Sequence, residues 1–191
     1  MSVRRIFAAI DVGDEVRSHV SAYSDRLRRE FAGLKIRWER PEKYHITLRF
    51  EAKADESMLA RIKELIGSAA ASTPPFDLTF TGTGAFVNRR GPGVLWIGAN
   101  ALQQLDGTDL LEVLSGKLSD NDLPGRKFHP HLTIARLKDA GRAKELIEKH
   151  KALGFPKVST RVKEIVLFES RLETTGSSYT VLLRQPLIGA D

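Results

Sequence analysis

The sequence predicts an α+β domain whose sheets are largely antiparallel. Three observations carry that reading. Stretches with apolar residues at three-to-four spacing are mixed with short runs rich in Val, Ile, Phe and Tyr. Several of those runs follow one another too closely for a parallel crossover, which needs about a dozen residues or more. No long flexible linker or low-complexity tract divides the 191 residues, so one compact domain, or two closely packed lobes, is expected.

The elements follow in order. Residues 4–11 (RRIFAAID) form a short apolar run closed by Asp11; its apolar stretch is too short for a signal peptide and suits a first strand. From Asp14 to Phe31 the residues Val16, Val20, Leu27 and Phe31 recur on one helical face, with acidic residues in the first turn where the helix dipole favours them. Lys35–Glu39 and Tyr44–Phe50 are two expected strands joined around Pro41. A helix over Asp55–Ala71 buries Met58, Leu59, Ile62, Leu65 and Ile66, and stops before Pro74 and Pro75. Phe76–Val87 and Val94–Gly98 make a hairpin around a turn at Asn88–Gly93. A helix from Leu102 to Leu118, a polar loop from Ser119 to Lys127, a strand from His129 to Leu137 and a helix from Gly141 to Lys151 come next. A terminal hairpin pairs Val162–Phe168 with Tyr179–Leu183.

Composition narrows the function. The chain has no cysteine, which excludes disulfides, zinc–thiolate sites, iron–sulfur clusters and cysteine nucleophiles, and fits a cytoplasmic protein. No apolar run approaches the roughly 18 residues needed to span a bilayer, so no membrane partner is expected. The net charge of +6 favours an anionic partner such as nucleic acid.

The chemistry resides in a repeated tetrapeptide, His45-Ile-Thr-Leu48 and His131-Leu-Thr-Ile134. By chance a double match of this kind arises roughly two times in a thousand. Strand side chains alternate, so His45 and Thr47 share one face while Ile46 and Leu48 enter the core; His131 and Thr133 do the same. If the two strands line one groove, two imidazoles and two hydroxyls converge. Hydrolysis of a phosphodiester needs a base to activate water and an acid for the departing oxygen, and histidine titrates in the range that allows both. Thr47 and Thr133 can donate to phosphate oxygens. Arg49, two residues past Thr47, is expected on the same face, and Arg136 can supply a fixed positive charge. His129-x-His131 also has the spacing of two metal ligands, but no carboxylate or cysteine at matching spacing supports a metal, and none is expected. His19 and His150 fall on helices and are expected at the surface; Trp38 and Trp96 are expected in the core.

The paired motifs resemble the two-histidine (2H) phosphoesterase superfamily, and within it the bacterial and archaeal RNA 2′,3′-cyclic phosphodiesterases, historically called 2′-5′ RNA ligases. The resemblance covers nearly the whole chain: residues 5–11, 37–50, 94–98, 128–136 and 166–171, and Tyr179-Thr-Val-Leu. It implies a single bilobal domain over 1–191, with two antiparallel sheets lining a central groove, helices outside and pseudo-twofold symmetry. It further implies His45 as proton donor, His131 as proton acceptor, and Thr47, Thr133 and Arg136 as phosphate ligands, with no cofactor. The implied reaction converts an RNA 2′,3′-cyclic phosphate to a 2′-phosphomonoester, in a protein expected to be a monomer. Where the family continues Leu-Gly after Phe50, this chain has Glu51-Ala52, which bears on the exit of that strand. From the residues alone the acid and base roles are interchangeable. RNA ligation or hydrolysis of a small cyclic nucleotide would use the same atoms, and a non-catalytic RNA-end binder is the alternative from another class; two intact titratable groups argue against the last.

Overall fold

The computed structural model describes residues 3–87, 91, 93–101, 108–119, 128–174 and 176–189. Its strands are β1 (Arg4–Asp11), β2 (Ile36–Trp38), β3 (His45–Ala54), β4 (Phe76–Val87), β5 (Gly93–Asn100), β6 (His131–Leu137), β7 (Val158–Val162), β8 (Glu164–Glu173) and β9 (Gly176–Pro186). Its helices are α1 (Asp14–Glu30), α2 (Glu56–Ala71), α3 (Leu110–Leu118) and α4 (Lys144–Leu153), with a 3-10 turn at Pro41–Lys43. The turn expected at Asn88–Gly93, the start of the helix expected from Leu102 and the loop to Lys127 fall largely outside the described residues.

The strands order as β7-β4-β5-β6-β3-β1-β8-β9, with β2 added on β6, and every recorded pairing is antiparallel. The two expected sheets are thus halves of one curled sheet, with the motif strands β3 and β6 as its inner edges. The halves join through a single register pair, Ile46 with Leu132. Beyond it the strands diverge, and β2 pairs with the far end of β6. The chain runs twice through the same order, β1-α1-β3-α2 and β5-α3-β6-α4.

In each pass the first helix crosses to the other half. α1 packs on β7 and α4 on β4, whereas α2 and α3 pack on β3 and each other. The crossing interlocks the halves. Local chemistry sets the helix ends: the Asp55 carboxylate accepts from the Met58 N–H at 2.8 Å to cap α2, and Asp109 does the same for Leu111 at 2.9 Å to start α3. One apolar core, with Ile46 and Leu132 fully buried in it, lies between sheet and helices. β7, absent from the sequence reading, pairs with β4 some eighty residues earlier.

Candidate active site

An antiparallel ladder has a local twofold axis through each register pair. At Ile46–Leu132 that axis exchanges position 45 with 131 and 47 with 133, so the two motifs are related by the symmetry of the ladder itself. With Ile46 and Leu132 turned into the core, His45, Thr47, His131 and Thr133 lie on the opposite face. The two histidines occupy diagonal positions there, a spacing of about 7–8 Å between strands in a regular ladder.

Both rings are held in the same way. Nδ1 of His45 donates to the Lys43 carbonyl at 2.7 Å, and Nδ1 of His131 donates to the His129 carbonyl at 2.6 Å. A carbonyl only accepts, so the proton sits on Nδ1 and Nε2 is the nitrogen available for chemistry. Nε2 of His45 lies 3.1 Å from Thr47 Oγ1. Each imidazole also has an aromatic wall: Phe7 at 4.8 Å and Tyr179 at 5.7 Å from His45, Phe86 at 5.0 Å and Trp96 at 6.4 Å from His131, between ring centres. Burial lowers the pKa of both histidines. Their charged neighbours then differ. Glu39 and Asp11 favour the protonated form of His45 against an opposing Arg136, while the charges acting on His131, those of His129 and Arg136, both disfavour it.

The two arginines expected to bind phosphate are separated by β-bulges. In β6, Leu95 pairs with Ala135 but Trp96 with Thr133, so one extra residue is inserted and both Ile134 and Ala135 point inward. The inserted residue reverses the alternation. Arg136, an odd number of residues past Thr133, therefore emerges on the groove face. In β3 the same device lies at Leu48, because Ala8 pairs with Arg49 but Ala9 with Thr47. There the reversal puts Phe50 on the groove face and turns Arg49 to the helix side, correcting the expectation that Arg49 shares a face with Thr47. Arg49 donates to Glu51 Oε1 at 2.8 and 3.0 Å, to the Leu118 carbonyl at the end of α3, and to Met58 Sδ of α2. Glu51 thus pairs with Arg49 within β3, which continues to Ala54 before the chain leaves the sheet.

Beside His45 lies a cavity of about 270 Å³ lined by His45, Thr47, Arg136, Glu39, Tyr179 and Phe7 among others. His131 and Thr133 are not part of its wall. Glu39, which no local pattern singles out, accepts from Arg136 Nε at 2.8 Å. Its own N–H bonds the Ile134 carbonyl at the bulge at 2.9 Å. The Glu39 side chain is 12% exposed and that of Arg136 52%. Because the carboxylate takes Nε, the guanidinium is oriented with its other nitrogens still able to donate.

Trp38 packs against the core as expected, with Arg28 over its ring. Trp96 does not. As the register partner of Thr133 it stands on the groove face, against His129 at 4.6 Å. Gly84 leaves the room, since any side chain there would collide with the indole. His19 is exposed as expected. His150 is fully buried instead: Tyr23 OH lies 2.8 Å from its Nδ1, and its Nε2 is 3.2 and 3.1 Å from the Gly84 and Trp96 carbonyls. Among the described residues no group of three or more His, Cys, Asp or Glu forms a metal-binding cluster, and no helix is long and apolar enough to cross a membrane.

The family model of LigT-like phosphoesterases matches residues 10–96 and 108–179. An RNA 2′,3′-cyclic phosphodiesterase of Thermotoga maritima is 32% identical over 180 residues, covering 93% of this chain and 92% of that protein. One of Methanothermobacter thermautotrophicus is 32% identical over 178 residues, covering 92% and 95%. The chain belongs to the LigT-like phosphoesterases. The structure of E. coli LigT complexed with 3′-AMP shares the fold of this LigT-like phosphoesterase with a TM-score of 0.69 and 25% identity, covering 98% of this chain and 99% of that one. A Thermus thermophilus protein, TT0787, superposes with a TM-score of 0.70 at 27% identity, covering 98% and 100%. Within this LigT-like phosphoesterase the local symmetry ends just past the motifs: five residues beyond each histidine, on the groove face, Phe50 stands in one half and Arg136 in the other.

Proposed function

We propose that this chain hydrolyses the 2′,3′-cyclic phosphate of RNA ends to a 2′-phosphomonoester by metal-free acid–base catalysis. The observation that carries the reading is the matched pair of histidines, each with Nδ1 tied to a backbone carbonyl and Nε2 left for proton transfer, on one face of adjoining strands. His131 Nε2 takes a proton from water as the water oxygen bonds phosphorus. The P–O3′ bond breaks, and His45 Nε2 delivers its proton to O3′. His45 becomes neutral, His131 becomes charged, and exchange with solvent resets both. Against the burial that lowers both rings, the neighbours differ in a sense that suits these roles: the carboxylates of Glu39 and Asp11 favour the protonated form of His45, with Arg136 opposing, and no carboxylate acts on His131. Thr47 and Thr133 donate to the non-bridging oxygens, and Arg136 stabilises the charge that develops on them.

The RNA end as substrate is supported by the named activity of relatives about 32% identical over most of the chain, and by the surplus of cationic side chains at the cavity. The test is an oligoribonucleotide ending in a 2′,3′-cyclic phosphate, with the product resolved into 2′- and 3′-phosphate. Only the 2′-phosphate is expected. A 3′-phosphate product would reverse the orientation of the substrate between the two histidines, and an unchanged cyclic end would refute the proposal.

A further inference from the structure

The cavity beside His45 carries more positive charge than one cyclic phosphodiester requires. Four cationic side chains line it, Arg5, Arg37, Lys43 and Arg136, against the single carboxylate of Glu39. Two of the four are already engaged: Arg136 with Glu39, and Lys43 with the Ser177 carbonyl. Arg5 and Arg37 have no carboxylate within salt-bridge distance among the described residues, whereas arginines elsewhere, such as Arg17, Arg142, Arg161 and Arg184, are paired.

Both are nevertheless placed. Arg37 is the register partner of Arg136 across β2 and β6, so two like charges stand directly opposite, an arrangement that costs stability unless an anion bridges them. The β8–β9 turn passes against the Arg37 guanidinium at Gly176, whose φ of 139° is open to glycine, and a side chain there would strike Arg37. The guanidinium carbon of Arg5 lies over the Phe50 ring, 4.8 Å from its centre. Arg136, Arg5 and Arg37 line the same cavity together with Tyr179, and the charges of all three oppose the rise that burial imposes on the Tyr179 hydroxyl.

We infer that Arg5 and Arg37 form a second phosphate subsite, which takes the phosphate on the 5′ oxygen of the nucleotide whose cyclic phosphate sits between the histidines. This deepens, and rests on, the hydrolysis proposed above. In an RNA chain that group is the phosphodiester to the preceding nucleotide; in a mononucleotide it is a 5′-phosphate. The subsite would make the chain an enzyme of RNA ends and not of bare nucleoside cyclic phosphates.

Three substrates test it: adenosine 2′,3′-cyclic phosphate, its 5′-phosphorylated form, and the dinucleotide ApA with a cyclic end. The wild type is expected to show a kcat/KM for the dinucleotide about 10- to 100-fold above that for the bare nucleoside, the range of one charge-assisted hydrogen-bonded contact. The 5′-phosphorylated nucleotide separates the two sources: if it matches the dinucleotide, a terminal phosphate suffices; if it falls between, the bridging phosphodiester is the better ligand; either supports the subsite. In the Arg5→Gln, Arg37→Gln double variant the preference is expected to collapse toward unity. Arg142→Gln, which removes the same charge from an 88%-exposed position far from the cavity, should preserve it. Equal kcat/KM on all three substrates in the wild type would overturn the subsite while leaving hydrolysis intact, and so would a preference that survives the double variant. No turnover of any substrate would instead overturn the hydrolysis on which it rests.

Discussion

Replacing Arg49 and Arg136 one at a time by Met should separate stability from catalysis. Arg49 is only 11% exposed, and its loss leaves Glu51 half-buried without its partner and a helix-end carbonyl of α3 without a donor. Stranding a charged and a neutral acceptor in that setting costs about 2–3 kcal/mol. For a chain of this size that corresponds to a Tm lower by about 5–10 °C, with kcat/KM little changed below the transition. Arg136 is half exposed but its partner Glu39 is only 12% exposed, so losing the guanidinium strands a carboxylate at least as buried as Glu51 and costs a comparable amount, about 1–3 kcal/mol. Its guanidinium lines the cavity beside His45, so Arg136→Met should lower Tm by a similar few degrees but, unlike Arg49→Met, also lower kcat/KM by about 10²–10³. The assay is thermal unfolding beside turnover of a cyclic-phosphate oligonucleotide. An Arg49→Met protein that stays fully stable yet loses activity as Arg136→Met does would refute the two-bulge reasoning.

Other consequences follow from the buried histidines. Burial lowers both motif histidines, so the bell-shaped profile of kcat/KM, which reports the free enzyme, should have its maximum below pH 6.5, where His45 still carries its proton and His131 has lost it; an optimum above pH 7.5 would contradict the lowering of the pair. The same depression, shared by His150, ties stability to pH. The unfolded chain binds protons more readily than the folded one below about 6.5, so the contribution of these three groups is complete above that value and is lost as pH falls through their lower folded values; urea midpoints from pH 8 to 5 should decline, and a rise would refute it. His150→Ala removes the ring partner of the Tyr23 hydroxyl, leaving it only its 3.3 Å bond to the His150 carbonyl, and opens a cavity, at an expected cost of about 3 kcal/mol in urea unfolding; a loss under 1 kcal/mol would contradict its structural role. Glu39→Gln keeps an acceptor for Arg136 but removes the charge that favours protonated His45, so the alkaline limb of the rate profile should shift to lower pH, and an unmoved limb would show that Glu39 only orients Arg136.

What was legible in the sequence was whatever depends on local periodicity. The alternation around His45-x-Thr47 and His131-x-Thr133 predicted their shared faces because no bulge falls inside either motif. The helices over Asp14–Glu30 and Glu56–Ala71 were legible from their apolar stripes and, for α2, the prolines that follow it. Alternation failed at Arg49 because an inserted residue at Leu48 reverses the phase, and nothing in the residues 45–50 signals the insertion; it is set by pairing with β1. His150 misled for a different reason. Its helix is amphipathic as read, but the partner that buries it, Tyr23, lies 127 residues away on α1, which crosses to the other half of the sheet. Trp96 lies on the groove face because β5 pairs with β6 in the one register that sets it beside Thr133. Glu39 and Arg37 acquire their meaning from the short β2 pairing with β6, a contact across about a hundred residues that composition cannot reveal.

The account stands on two histidines that trade protons across a single phosphorus atom without a metal. The direct test is turnover of a cyclic-phosphate oligonucleotide in excess chelator by the wild type, His45→Ala and His131→Ala. The expected result is full wild-type activity and a fall of about 10²–10⁴ in each variant. Wild-type activity that vanishes with chelator, or either variant retaining full turnover, would contradict it.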